Sequence, residues 1–121
     1  MKLFVCGSRT ITNKGWIFEK LDECVKDNGF SEITVLESEA KGVDLIAKEW
    51  AICRNIPVKE YPIDRKTYGF KAPFVRNEQM AKDCDYMVAF WNGISTGTQH
   101  DIEMAEKYGK PYKVLMEEKN I

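Results

Sequence analysis

Apolar strand-like runs and helical stripes alternate along this 121-residue chain, which predicts an α/β fold of three layers around a mainly parallel, five-stranded sheet. Two observations carry the prediction. Five short apolar runs are separated by segments long enough for helical crossovers, as parallel neighbours require. Most of those segments place apolar residues at helical spacing, and no linker, repeat or low-complexity stretch divides them. One domain over residues 1–121 is expected.

The elements follow in order. "KLFVC", Lys2 to Cys6, is apolar and ends at a glycine, as a buried strand does. Ile17, Leu21, Cys24 and Val25 mark a helix from Lys14 to Asn28, with Gly29 as its stop. "EITVLE", Glu32 to Glu37, is β-branched and reads as the second strand. Val43, Ile46, Ala47, Trp50 and Ala51 form the stripe of a second helix. "IPVKEY", Ile56 to Tyr61, is a third strand that Pro57 places near an edge. "PIDRKTYGFK" reads as an irregular loop, followed by a helix from about Pro73 to Lys82. "DYMVAFW", Asp85 to Trp91, is the most continuous apolar run and is expected to be a central strand, covered on both faces. A helix from Thr98 to Tyr108 stops at Gly109, "KPYKVLM" is the last strand, and the tail "EEKNI" is expected to fray.

Composition sets limits on function. Eighteen basic residues against 19 acidic ones give a net charge of −1, which argues against a general polyanion binder but leaves a local basic patch open. No interleaving of aromatic and basic residues is read as a strand-binding groove, so a nucleic-acid partner is not expected. The first apolar run is too short for a signal peptide or a membrane span, so a cytoplasmic protein without a membrane partner is expected. Four dispersed cysteines, Cys6, Cys24, Cys53 and Cys84, read as reduced core thiols. One histidine and no clustered cysteines give no metal site, and no cofactor is expected.

In an open parallel sheet a ligand sits beyond the C-terminal ends of the strands, where strand order reverses. Three loops there carry suggestive residues. "GSRT" offers Gly7 for close backbone approach, Ser8 and Thr10 as hydroxyls, and the Arg9 fork for phosphate or carboxylate, or is simply a surface turn. "NGISTGT" offers Gly93, Ser95, Thr96, Gly97 and Thr98 before a helix whose free N–H groups attract an anion. Capping by Thr96 or Thr98 is the simpler reading, but capping does not need two glycines and three hydroxyls. "AKGVD" adds Lys41, Gly42 and Asp44, the last of which also suits a helix first turn. In "FVRNEQM", Arg76 and Asn77 fall on the ligand side if Met80 faces the sheet, with Lys66 and Lys71 close by. Trp91, Trp16 and Tyr68 are aromatic enough to stack on a base, or to belong to the core.

The series "GSRT", "KGVDLIAKEWA", "YGFKAPFVRNEQM" and "DYMVAFWNGISTGT" resembles the YspA/YpsA-related branch of the SLOG superfamily, over about Phe4 to Val114. The resemblance implies a Rossmann-like fold and kinship with the "lonely guy" phosphoribohydrolases, DprA-like proteins and nucleotide-signal sensors. It implies a small-molecule nucleotide or nucleotide derivative as ligand, and a homo-oligomer, a dimer foremost. Against the phosphoribohydrolase signature PGGxGTxxE, Gly97 and Thr98 fall on its GT, and Asp101 falls on its catalytic glutamate. Arg76 resembles the arginine that accompanies catalysis, Gly7, Ser8 and Arg9 the first-loop ligand contacts, and Gly42 and Asp44 the family's GAD. The departures are Asn92 at the proline of PGG, and Glu37, Ser38 and Glu39 where relatives are glycine-rich. Each of those two acids would repel a nearby phosphate by about 1–4 kcal/mol.

Three readings follow from these residues. The first is an enzyme that cleaves or exchanges an N-glycosidic bond, with the Asp101 carboxylate at an oxocarbenium-like sugar and Arg76 on the phosphate. Aspartate is one methylene shorter than glutamate, enough to move that carboxylate off its mark. The second is a binding module for a nucleotide signal, which needs the same loops and no catalytic acid. His100 and Glu103 adjoin Asp101, and a solvated helix-surface histidine is the simpler account of the first. A DprA-like nucleic-acid partner is the third and least supported reading.

Overall fold

The computed structural model describes residues 1–38 and 40–117. Its elements are β1 (Lys2–Gly7), α1 (Lys14–Asn28), β2 (Thr34–Glu37), α2 (Val43–Cys53), β3 (Val58–Glu60), α3 (Arg65–Tyr68), α4 (Ala72–Asp83), β4 (Tyr86–Trp91), α5 (Thr96–Lys107) and β5 (Tyr112–Met116). The five strands form one sheet in the order β3-β2-β1-β4-β5, and every neighbouring pair is parallel. The fold is therefore the three-layer, Rossmann-like α/β architecture.

β1 is the central strand, and its alternate residues feed two cores. Leu3 and Val5 join Ile17 and Leu21 of α1 and Ala47 and Trp50 of α2 on one face. Phe4 and Cys6 join Met80 and Ala81 of α4 and Ala105 of α5 on the other. β4 does the same with Val88 and Phe90 against Met87 and Ala89, which is why its sequence is a continuous apolar run. Trp50 is buried because its indole N–H donates to Asp22 Oδ1 at 2.9 Å, which satisfies its one polar atom. Trp16 is half-buried and meets Phe90 edge-on at 5.3 Å, so it packs against the core.

Several boundaries moved. β2 begins at Thr34 because Glu32 adopts a φ of 51°, outside strand geometry. β3 spans Val58–Glu60 and is the edge strand that Pro57 predicts. The loop expected after Pro62 contains α3, whose first turn is capped by Asp64 Oδ1 accepting from Thr67 N at 3.0 Å, and a 3-10 turn over Gly69–Lys71. Among the cysteines, Cys6, Cys24 and Cys84 are buried, but Cys53 is exposed at the end of α2 and is not a core thiol. Leu45 and Ile52 of α2 are also exposed. No described helix is long and apolar enough to cross a membrane. The tail from Glu118 onward lies outside the described residues.

Candidate functional site

The strand order turns back at β1: the chain runs outward through β2 and β3, then returns to β4 on the other side. Ser8 to Asn13 and Asn92 to Ser95 leave the ends of adjacent strands in different directions, and a pocket of about 480 Å³ opens between them.

The first wall is the loop after β1. Gly7, Ser8, Arg9 and Thr10 all line the pocket. Gly7 must be glycine: a Cβ there would lie 2.5 Å from Val43 Cγ2 and 2.6 Å from the Phe90 carbonyl oxygen. Ser8 is buried, donates its backbone N–H to Phe90 O at 3.0 Å and accepts the Asn92 N–H on its hydroxyl at 3.1 Å, so it ties the two loops together. Arg9 and Thr10 are exposed at the mouth.

The second wall precedes α5. Ser95, Thr96, Gly97 and Thr98 line the pocket, and a Cβ at Gly97 would meet nothing, so this approach is open. The helix begins at Thr96, two residues earlier than the sequence suggests, and its cap is Ser95, not Thr96 or Thr98. The Ser95 hydroxyl accepts from Thr98 N at 3.4 Å and from the Thr98 hydroxyl at 3.2 Å. Asn92, which the sequence presented only as a departure, organises this loop. Its Oδ1 accepts the N–H groups of Ile94 and Ser95, both at 2.8 Å, and its Nδ2 donates to Thr10 Oγ1 at 3.2 Å. Gly93 supplies the turn at a φ of 81° and lies outside the pocket wall. The Trp91 indole N–H is engaged by Ser95 O at 3.0 Å.

The third wall is the start of α2 with α4. Asp44 is buried, and its Oδ2 accepts from the Ser38 N–H at 3.1 Å and from the Ser38 hydroxyl. Lys41 and Gly42 do not line the pocket. Gly42, at a φ of 79°, has Arg9 O 2.6 Å from where its Cβ would stand, so it lets the two loops approach. Glu37, expected to repel a phosphate, is buried at the end of β2 and outside the pocket wall, while Glu39 lies outside the described residues. Arg76 and Asn77 line the pocket from α4, the side the sequence predicts, Met80 reaches it from the core beneath, and Lys66 and Lys71 do not line it.

Asp101 lies in the same pocket, carried by α5 and 8% exposed. Its Oδ1 is buried with no hydrogen-bond partner among the described residues, and so is the Nε of Arg76. Burial, then the charge of Asp44, raise the Asp101 carboxyl from 3.8 to about 8, against the lowering effect of Cys6 and Arg76. Burial raises Asp44 to about 6, with the Ser38 bonds and then Arg76 and Arg9 pulling the other way. Burial lowers the proton affinity of Arg76, opposed by both acids. Near neutral pH the pocket thus holds the Arg76 cation, an Asp44 anion and an uncharged Asp101. Cys6, which the sequence assigned to the core, also lines the pocket, with its thiol raised by burial and kept neutral.

His100 is not the solvated residue its sequence position suggests. Its Nδ1 lies 3.2 Å from Asn77 Nδ2, and its ring meets Phe74 edge-on at 4.9 Å. Burial lowers its pKa, with Glu103 and Glu78 raising it and Lys107 lowering it. Among the described residues no three His, Cys, Asp or Glu side chains cluster as metal ligands would.

No curated protein matches this chain at a significant level. Among solved structures, DNA processing protein A (DprA) of Streptococcus pneumoniae is similar over 97% of this chain and 50% of its own, with a TM-score of 0.75 and 17% identity. DNA processing protein A of Helicobacter pylori, which binds single-stranded DNA, is similar over 99% of this chain and 67% of its own, with a TM-score of 0.66 and 21% identity. The chain thus spans half the length of the first, and at these identities the likeness is one of fold. A family model, YAcAr, matches residues 1–68, more than half of the chain and inclusive of the β1 and α2 walls of the pocket. By that match and the geometry around β1, the chain belongs to the YspA, cpYpsA-related SLOG family.

Proposed function

We propose that the pocket binds a nucleotide or nucleotide-derived small molecule, with its phosphate against the amino end of α5 and its sugar toward Asp101. The observation that carries this reading is the pair of unpartnered polar atoms, Asp101 Oδ1 and Arg76 Nε, buried beside one open pocket. A buried polar group without a partner costs about 1–3 kcal/mol. A ligand with hydroxyl and anionic oxygens supplies what both lack. The volume is in the ordinary range for a small-ligand site, and the Gly97 side of the helix end is free of side chains.

A second reading, turnover of the ligand's N-glycosidic bond, is favoured by the two carboxyl groups whose proton affinities are pushed apart. In this reading the bond between sugar C1′ and the base nitrogen breaks, Asp101 gives its proton to the departing base, and water adds to C1′ and returns a proton to the Asp101 carboxylate. The acid replaces the ionised carboxylate that the family signature implies, because Asp101 keeps its proton at neutral pH.

The test uses the purified chain with nucleosides, nucleoside 5′-monophosphates and cyclic nucleotides. Thermal stabilisation by a phosphate-bearing compound, weakened by Arg76→Met, supports binding. Release of free base, abolished by Asp101→Asn, supports turnover. No stabilisation by any compound overturns both.

A further inference from the structure

We infer that the exposed segment from Arg65 to Phe74 binds single-stranded nucleic acid, its aromatic rings stacking on bases and its cations holding phosphates. The chemistry is on the surface of the corner that joins α3 to α4. Phe70 is 96% exposed, Phe74 54% and Tyr68 43%. Arg65, Lys66 and Lys71 stand between them, all exposed and in no ion pair among the described residues. The stretch from Asp64 to Arg76 holds four of the chain's 18 basic residues and one of its 19 acidic ones, so a basic patch sits on an otherwise acidic molecule. The overall charge of −1 hides it.

The segment is built to present these groups. Asp64 caps α3, and Gly69, at a φ of 57°, breaks the helix into the 3-10 turn that holds Phe70 out. Phe74 is fixed edge-on against His100. Rings held in place lose little freedom on stacking, and every base offers a face to stack on. Single exposed apolar residues need no explanation, but three rings and three cations on one ten-residue stretch form a patch. Its large exposed apolar residues are all aromatic and stand beside cations, whereas Leu45 and Ile52 on α2 are aliphatic and offer no ring to stack on a base. Unstacked bases are needed for this contact, so a single strand fits and a duplex does not.

A path leads inward. Tyr68 and Arg76 line a smaller cavity of about 230 Å³, and Arg76 also lines the main pocket. The surface stands without the pocket reading, but a strand lying on it has its end within reach of Arg76.

Fluorescence anisotropy with a labelled oligothymidylate of about 15 nucleotides tests the inference at about 50 and 200 mM salt. Binding is expected at the lower salt, weaker for a duplex of the same length. Phe70→Ala should weaken it about tenfold or more without changing the melting temperature, since the ring touches little of the fold. Lys66→Gln and Lys71→Gln should each flatten the salt dependence by about 0.7 of a logarithmic slope unit. No binding at low salt, equal binding of duplex, or an unchanged affinity in Phe70→Ala overturns the inference. So does a Phe70→Ala protein that binds the oligonucleotide normally but changes its oligomeric state, which would assign the surface to a second copy, or one that loses vesicle binding only, which would assign it to lipid. Thermal shift of the wild-type protein with nucleosides, their 5′-monophosphates and cyclic nucleotides reports on the pocket separately: oligonucleotide binding without a shift by any of them overturns the pocket reading and leaves this one standing.

Discussion

The carboxyl groups of Asp44 and Asp101, carried by α2 and α5, line one pocket, and the charge on Asp44 adds to the burial that keeps a proton on Asp101. Unfolded, both groups lose their protons near 3.8; folded, they hold them to about 6 and about 8. The folded state therefore binds more protons across that window, and stability falls as pH rises through it. Stability from these groups is full below about 4 and lost above about 8. Asp101→Asn should flatten the upper half of that fall and raise Tm at about pH 8 by about 4 °C or more. Between about 4 and 6 both groups contribute, so there the fall should persist at about half its slope, the share that belongs to Asp44. Thermal melts followed by circular dichroism from about pH 4 to 9 check both halves.

Arg76 separates binding from stability. Its guanidinium faces both acids, yet its Nε is buried without a partner. Arg76→Met removes that orphaned donor together with the charge, so Tm at neutral pH should change little. Affinity for a phosphate-bearing ligand should fall about tenfold to a hundredfold, and Arg76→Lys should recover only part of it because the planar fork is lost. Arg76 also lowers the proton affinity of Asp101. In Arg76→Met the pH-dependent loss of stability should therefore extend above that of the wild type. Calorimetric titration and the same pH melts read these outcomes.

Much of this was legible in the sequence, and the failures have physical causes. The β4 run could be placed inside the sheet because both of its faces are buried, which leaves no polar alternation. The pocket residues of Gly7 to Thr10 and Ser95 to Thr98 followed from strand ends meeting loops of small residues. Lys41, Gly42 and Gly93 share those loops but do not line the pocket, and a glycine needed for close approach of two loops looks the same in sequence as one needed for a ligand. Asn92 shows in the sequence only as a departure, because it acts through four bonds to its own loop and to Ser8 and Thr10, which no spacing reveals. α3 has four residues, too few for any periodicity, and reading its surroundings as an irregular loop concealed the ordered alternation of rings and cations.

Gly7 is a packing constraint that one compensating change cannot relieve. A methyl group there meets Val43 Cγ2, which can be trimmed, and the Phe90 carbonyl, which belongs to the β4 backbone. Gly7→Ala should cost about 1–3 kcal/mol as an overpacked site. Adding Val43→Ala should restore only part of it, because the carbonyl contact stays and Val43 leaves a cavity of its own. Urea denaturation of the single and double variants measures the coupling. Full recovery in the double variant would show that β1 and β4 separate at their ends more easily than the Ser8–Phe90 bond allows.

Asn92 should matter more to the loop than the residue that caps the helix. Ser95 accepts from Thr98 N at 3.4 Å, a long bond, so Ser95→Ala should cost about 0.5–1 kcal/mol, at the low end for a cap. Asn92 Oδ1 takes two N–H groups at 2.8 Å and its Nδ2 reaches across to Thr10, so Asn92→Ala leaves three groups to find new partners. A loss of about 1–3 kcal/mol is expected, along with weaker ligand binding as Thr10 is freed. Asn92→Asp separates the two roles. It keeps the acceptor and adds a negative charge near the amino end of α5, where the helix dipole favours it. Its Tm should therefore stay nearer to that of the wild type than Asn92→Ala does, while a phosphate seeking the same helix end should bind more weakly than to either parent or alanine variant.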